Sequence, residues 1–249
     1  METASDLRDH HDEALTHVIG VFARASVMRK PCLHGVLQEV FPRTYFAKLF
    51  EALPGPEKYK AIPSATTYDA ACRRSLMVGG ERHHLWLAHL LEASTGSLAV
   101  ERDRSDVFWY GFARRFASPT FIAALSEHFL GKTLSSSVDL SIRFVRETGG
   151  VYIAPHLDMS HKLMSMICYL GQSRVPNGLQ GTSLYEIGAS GVPIVRKSVP
   201  FVPNSALVLP RTEESLHGVE PHLAQSDRLT LHFYLQEANK DARGVVRLQ

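Results

Sequence analysis

Three residues in this chain have the types and spacing of a metal site. His156 and Asp158 stand two apart in "APHLDMS", just ahead of an apolar run. Side chains at i and i+2 of an extended segment leave the same face, so an imidazole and a carboxylate can grip one ion there. A third ligand must come from elsewhere, and "RTEESLHGV" offers His217 at the end of a loop. Two histidines and one carboxylate form a facial triad with open coordination positions, a ligand set that suits non-haem iron(II). An H-x-D pair is common by chance. A plain hydrogen-bonded His156–Asp158 pair, a surface His217 and a cupin-like site for another metal therefore stand beside this reading. His161 and His222 are read as non-ligands.

Arg228 is the reason to single out His217. In "SDRLTLHFYL", Arg228, Thr230, His232 and Tyr234 share one face of a predicted strand, and Leu229, Leu231, Phe233 and Leu235 share the other. If the apolar stripe packs outward beneath helices, Arg228 points inward beside Thr230. An inward guanidinium is costly unless an anion meets it, and a carboxylate taken bidentately is the natural partner, whether a ligand's or a side chain's. In "SVDLSIRFVRETGG", Arg143 alternates away from the Leu140/Ile142 stripe. It is a candidate for an interior substrate or cosubstrate contact, against an exposed ion pair. Tyr152 is a second candidate, at the mouth. Lys162 reads equally as a loop-surface lysine. Met159, Met164 and Met166 read as packing, Asn204 as a turn residue. Trp109 and Tyr110 either close over the site or anchor a helix.

Taken together, His156-x-Asp158, the distal His217 and Arg228-x-Thr230 resemble the iron(II)- and 2-oxoglutarate-dependent oxygenase superfamily. "PHLDMSHKLMSMICYL", "GTSLYEI" and "VPFVPNSALVLPRTEESLHGV" look like the catalytic core of its small prolyl-hydroxylase-like members. The resemblance covers roughly residues 137–235. It implies a double-stranded β-helix, or jelly roll, with helices packed on the major sheet. It also implies Fe(II) held by His156, Asp158 and His217, and 2-oxoglutarate held at its distal carboxylate by Arg228 with help from Thr230. O2 would be the co-reactant, and the products succinate, CO2 and a hydroxylated substrate. Related halogenases lack the ligand carboxylate, so Asp158 favours hydroxylation. A non-catalytic ligand-binding protein of the same fold, and a cupin-type enzyme that ignores 2-oxoglutarate, are the alternatives.

The elements that must position these residues divide in two. Apolar residues near a 3.6 period predict helices at about 6–29, 41–53 and 81–93, and two more across "SDVFWYGFARRFASPTFIAALSEHFLG", with Ser118 as a cap and Pro119 at the first position. From Ser137 the period becomes 2. Strands are expected at 138–145, 162–170, 182–187, 198–201, 205–209 and 228–235, separated by Gly, Pro and Asn. This order predicts one domain, 1–249: a helical buttress to about 136, an oxygenase core over 137–235 and a short tail. The chain is 45% hydrophobic and 21% charged, and its net charge of +2 argues against nucleic acid or an anionic membrane as partner. Cys32, Cys72 and Cys168 are too scattered for a zinc knuckle or a disulfide scaffold, which suggests a reducing compartment. With no signal-like start and no apolar run of spanning length, a cytoplasmic enzyme is expected. Its substrate would be a small polar metabolite, such as an amino acid or natural-product intermediate, and it could act as a homodimer.

Overall fold

A computed structural model of the chain describes residues 4–62, 77–78, 81–95, 104–134, 138–148, 151–171, 181–220, 227–240 and 244–246. The helices are α1 (Ala4–Arg24), α2 (Arg43–Glu51), α3 (Leu87–Thr95), α4 (Arg104–Phe116) and α5 (Pro119–Leu130). Short strands lie between them: β1 (Val27–Met28), β2 (His34–Leu37), β3 (Lys60–Ala61), β4 (Met77–Val78) and β5 (Glu81–Trp86). The second half is all strand: β6 (Val138–Thr148), β7 (Tyr152–His156), β8 (Lys162–Tyr169), β9 (Thr182–Ile187), β10 (Pro193–Val199), β11 (Ser205–Pro210), β12 (His217–Val219) and β13 (Arg228–Glu237). Among the described residues these form two antiparallel sheets, an eight-stranded one in the order β1-β2-β11-β8-β13-β6-β5-β3 and a five-stranded one in the order β10-β9-β12-β7-β4.

The period-2 alternation decides which face of the larger sheet goes where. Leu140, Ile142 and Phe144 of β6 and Leu231, Phe233 and Leu235 of β13 join one buried cluster with Phe22, Phe112, Phe116 and Phe121 of the helices. Phe233 touches Phe121 and Phe112, with ring centroids 5.3 and 6.1 Å apart. Burying a side chain of this size contributes roughly 1.5–3 kcal/mol, so the aromatic seam between helices and sheet is a main source of cohesion. The opposite face packs Ile167, Tyr169, Leu207 and Leu209 against Leu184, Val199 and Phe201, next to the smaller sheet. The sites of interest lie on this second face.

The ends of α5 follow the expected chemistry. Ser118 Oγ accepts from the amide of Phe121 at 3.3 Å, Pro119 opens α5, and Gly131 closes it at φ +67°. Asn204, read as a turn residue, sits at φ 60°. It also clamps Phe41, accepting from its amide at 2.9 Å and donating to its carbonyl at 2.8 Å. That ties the entry to α2 to the entry to β11. Trp109 is fully buried among helices and donates its indole N–H to the Ala52 carbonyl at 2.6 Å, so it anchors a helix. Met164 and Met166 are packed inside, whereas Met159 is exposed.

Two expectations need correction. The segment 81–93 is a strand followed by a helix: Arg82, His84 and Trp86 alternate with His83 and Leu85, and β5 pairs with β6 along its whole length. Leu85 and the leucines of α3 mimic a single apolar stripe, which hides the change of period at Trp86. The strand expected at 198–201 runs instead over Pro193–Val199 as the partner of β9. Between them β1, β2, β3 and β5 add four strands to the larger sheet from within the supposed helical half. No described helix is long and apolar enough to cross a membrane.

Candidate metal centre

His156 ends β7 and His217 begins β12, and the two are register partners across the antiparallel pair. Their ring centroids lie 4.4 Å apart. The backbone between them is set by Gly218. A Cβ there would stand 2.4 Å from the carbonyl oxygen of Ile153, so only glycine lets β12 lie this close to β7. One ligand atom each from His156, Asp158 and His217 can be chosen so that all lie within 4.8 Å of one another.

Both imidazoles are held in the same way. Nδ1 of His156 lies 2.9 Å from the carbonyl of Ala154, and Nδ1 of His217 lies 2.9 Å from that of Ser215. A carbonyl only accepts, so Nδ1 carries the hydrogen and Nε2 keeps its lone pair. This fixes the tautomer that a metal requires. Burial, then the neighbouring His217, push His156 down to about 3, so its ring is neutral at ordinary pH. Asp158 receives Lys162 Nζ on Oδ1 and Ser165 Oγ on Oδ2, both at 2.6 Å. Burial works to raise its carboxyl, but the Lys162 ammonium, hydrogen-bonded to it, outweighs that and holds it ionised, well below the usual range. Each carboxylate oxygen still has a lone pair left for an ion. Lys162 is therefore no loop-surface lysine.

A second group lies across three strands of the larger sheet. Arg82, Glu147 and Arg228 are successive register partners on β5, β6 and β13. Arg228 donates from Nη1 to Glu147 Oε2, and Arg82 Nε lies 2.9 Å from Oε1. Arg228 is inward, as its alternation predicts, and the anion it meets in the chain itself is Glu147. The guanidinium also lies 5.7 and 5.6 Å from the ring centroids of Tyr169 and Phe201. Burial pushes Arg82 below its ordinary range against the pull of Glu147, and Arg143 and Arg228 add to the push. Sequence reasoning missed Arg82 and Glu147. Their signal was the alternation of "ERHHLW" and of "SIRFVRET", which places both on the inner face.

Along β13 the remaining inner residues form an ordered chain. Arg143 donates from Nη2 to the Tyr234 hydroxyl, whose oxygen lies 2.6 Å from His232 Nδ1; His232 Nε2 lies 2.8 Å from Thr230 Oγ1. Burial and then Arg143 push His232 well down, so it is neutral. Tyr234 Oη accepts from Arg143, and the tautomer of His232 sets the direction of the two remaining bonds in the chain. Tyr152 begins β7 two pleats before His156, half-buried. Burial, then Glu220, push its hydroxyl up. His222 lies outside the described residues.

Similar folds are known. An oxidoreductase of the 2OG-Fe(II) oxygenase family from Burkholderia pseudomallei superposes with a TM-score of 0.52 at 13% identity, covering 96% of this chain and 95% of that one. A prolyl 4-hydroxylase from Phytophthora capsici gives 0.51 at 14% identity, covering 100% of this chain and 71% of that one. At such identities the likeness is one of fold: two antiparallel sheets arranged as in the iron(II)- and 2-oxoglutarate-dependent oxygenases. No protein-family model and no curated protein matches the chain.

Proposed function

We propose that this chain is an Fe(II)- and 2-oxoglutarate-dependent oxygenase that hydroxylates a C–H bond of a small polar metabolite. We place it with the small prolyl-hydroxylase-like members, as a single cytoplasmic domain whose two sheets form a double-stranded β-helix. One observation carries the reading. Two histidines on facing strands each give Nδ1–H to a carbonyl two residues back, leaving Nε2 as lone-pair donor beside an ionised Asp158.

The donor set fits iron(II), two neutral imidazoles and one carboxylate. His156 and His217 would bind through Nε2, and Lys162 and Ser165 would keep Asp158 turned toward the ion. Arg228 would take the distal carboxylate of 2-oxoglutarate. Glu147 neutralises one guanidinium of the Arg82/Arg228 pair, so a positive charge is left over for that carboxylate. Thr230, whose Oγ1 lies 2.8 Å from His232 Nε2 and 3.5 Å from the Val145 carbonyl, would assist by donating to the same carboxylate. With both groups bound, the site would supply oxidative decarboxylation of 2-oxoglutarate by O2, one oxygen atom going to succinate, the other to the substrate hydroxyl, and CO2 being released. The protein's own task is to hold ligand geometry and keep out water.

Anaerobic addition of Fe(II) and 2-oxoglutarate should produce a weak visible charge-transfer band, with metal-dependent 2-oxoglutarate binding by calorimetry. Absence of both removes this reading. Metal-dependent activity that ignores 2-oxoglutarate would point to a cupin-type enzyme.

A further inference from the structure

We infer that Arg143 is an anion anchor for the substrate, and that the substrate carries a carboxylate, held in a notch formed by Trp86 and Tyr234. This rests on the oxygenase reading and adds its substrate class.

Arg143 differs from every other buried cation of the inner face in one respect. Arg82 and Arg228 share Glu147, and Lys162 is paired with Asp158. Arg143 has no carboxylate partner among the described residues. Its guanidinium carbon lies 5.0 Å from the ring centroid of Trp86 and 5.0 Å from that of Tyr234, and those two centroids are 6.4 Å apart. It therefore sits in the corner between two rings, with Nη2 fastened to the Tyr234 hydroxyl and Nε buried without a hydrogen-bond partner. A guanidinium stacked and fastened in this way is fixed before any ligand arrives, so little further freedom is lost on binding.

The notch is joined to the metal centre. Lys162 Nζ lies 3.8 Å from the centroid of the same Tyr234 ring and bonds Asp158 at 2.6 Å. Arg143 thus stands two side chains from a metal ligand. It is half-buried, whereas Arg228 is 2% exposed. The deeper cation suits a cosubstrate that enters first, and the more open one a substrate that follows. Charge points the same way. Among the described residues, Glu147 and Asp158 are the carboxylates paired with Arg82, Arg228 and Lys162, and Arg143 adds a fourth cation, so this set is positive by itself. A divalent metal and the dianion 2-oxoglutarate cancel one another and leave that surplus in place. The fork geometry of a guanidinium favours a planar carboxylate.

The test uses protein loaded with Zn(II) and 2-oxoglutarate, which binds without turning over. The twenty L-amino acids, their N-acetyl derivatives and small aromatic and hydroxy acids are each titrated against the matching methyl ester by calorimetry and thermal shift. At least one acid should bind and its ester should not. Arg143→Gln should weaken that acid about ten- to a hundredfold, and Arg143→Lys should fall between. Metal and 2-oxoglutarate affinities should stay close to those of the unaltered protein. Esters binding as well as acids, no acid binding, or undiminished acid binding by both variants would each overturn the assignment. So would loss of 2-oxoglutarate affinity in both variants, which would make Arg143 the cosubstrate anchor. If the unaltered protein binds neither metal nor 2-oxoglutarate, the oxygenase reading itself fails, and that is seen before any acid is added.

Discussion

Arg228 and Glu147 face each other as register partners on β13 and β6, their side chains 3% and 0% exposed, and the guanidinium of the first donates to the carboxylate of the second. Arg82 reaches the same carboxylate from the other side. Removing that one negative charge leaves two guanidiniums facing each other away from water. Glu147→Gln should cost roughly 3–5 kcal/mol of stability, the scale for stripping one partner from a buried pair. 2-Oxoglutarate, a dianion, should raise the melting temperature of the variant by more than it raises that of the parent. Chemical denaturation measures the first effect and thermal melts with and without 2-oxoglutarate the second, and an unchanged denaturation midpoint would show that the row is not a charge network.

Replacing Arg228 by Lys keeps the charge and loses the fork. The expected loss of 2-oxoglutarate affinity is about 1.5–3 kcal/mol, or roughly ten- to over a hundredfold in dissociation constant. Metal affinity should change far less. Normal 2-oxoglutarate binding together with a much earlier melt would make Arg228 a structural partner of Glu147 and nothing more.

Gly218 controls how closely β12 approaches β7. Gly218→Ala must push Ile153 and Val219 apart, and with them His156 and His217. Metal affinity should drop by about ten- to a hundredfold, as for changes that misorient ligands. Gly35→Ala is the control: its Cβ meets the Phe129 ring at 2.4 Å, far along the chain from the triad. That variant should melt earlier while binding metal normally.

His11 gives a pH signature. It is buried at 2% exposure, with Nδ1 2.6 Å from the Tyr45 hydroxyl. Burial, then Arg115, push it down to about 4. The unfolded chain, with an ordinary histidine near 6.5, binds the proton first. Stability should therefore be unaffected above pH 6.5, fall as the pH drops toward 4, and level off below, by about 3 kcal/mol in all. His11→Gln should flatten that portion of the stability profile. An equal slope in parent and variant would assign the acid sensitivity to other groups.

Which parts of this were legible beforehand follows from range of interaction. β6 and β13 announce themselves by alternation, β8, β9 and β11 by short runs set between Gly, Pro and Asn, and α5 by Ser118 and Pro119, because these signals are local. The donor types of the triad and the inward direction of Arg228 come from spacing alone. The partner of Arg228 was not legible, since Glu147 meets it only through strand pairing, and any inward anion satisfies the same argument. β5 was missed because Leu85 joins the apolar rhythm of α3. Lys162 stayed open between the site and the surface because nothing in its neighbourhood says that the chain folds back to bring it against Asp158.

The order of strands bears on how the chain can assemble. β13 follows every other strand in the sequence, yet it lies in the middle of the larger sheet, between β8 and β6. Its neighbours are therefore made first and must wait with their inner edges unpaired. During synthesis the Arg82–Glu147–Arg228 row cannot close, and the helices have no Leu231/Phe233/Leu235 stripe to cover, until this last strand leaves the ribosome. Pairings of such long sequence separation fold slowly and expose strand edges meanwhile. A chain stopped short of Arg228 would lose the keystone of the sheet instead of a fringe, and should be recovered as aggregate.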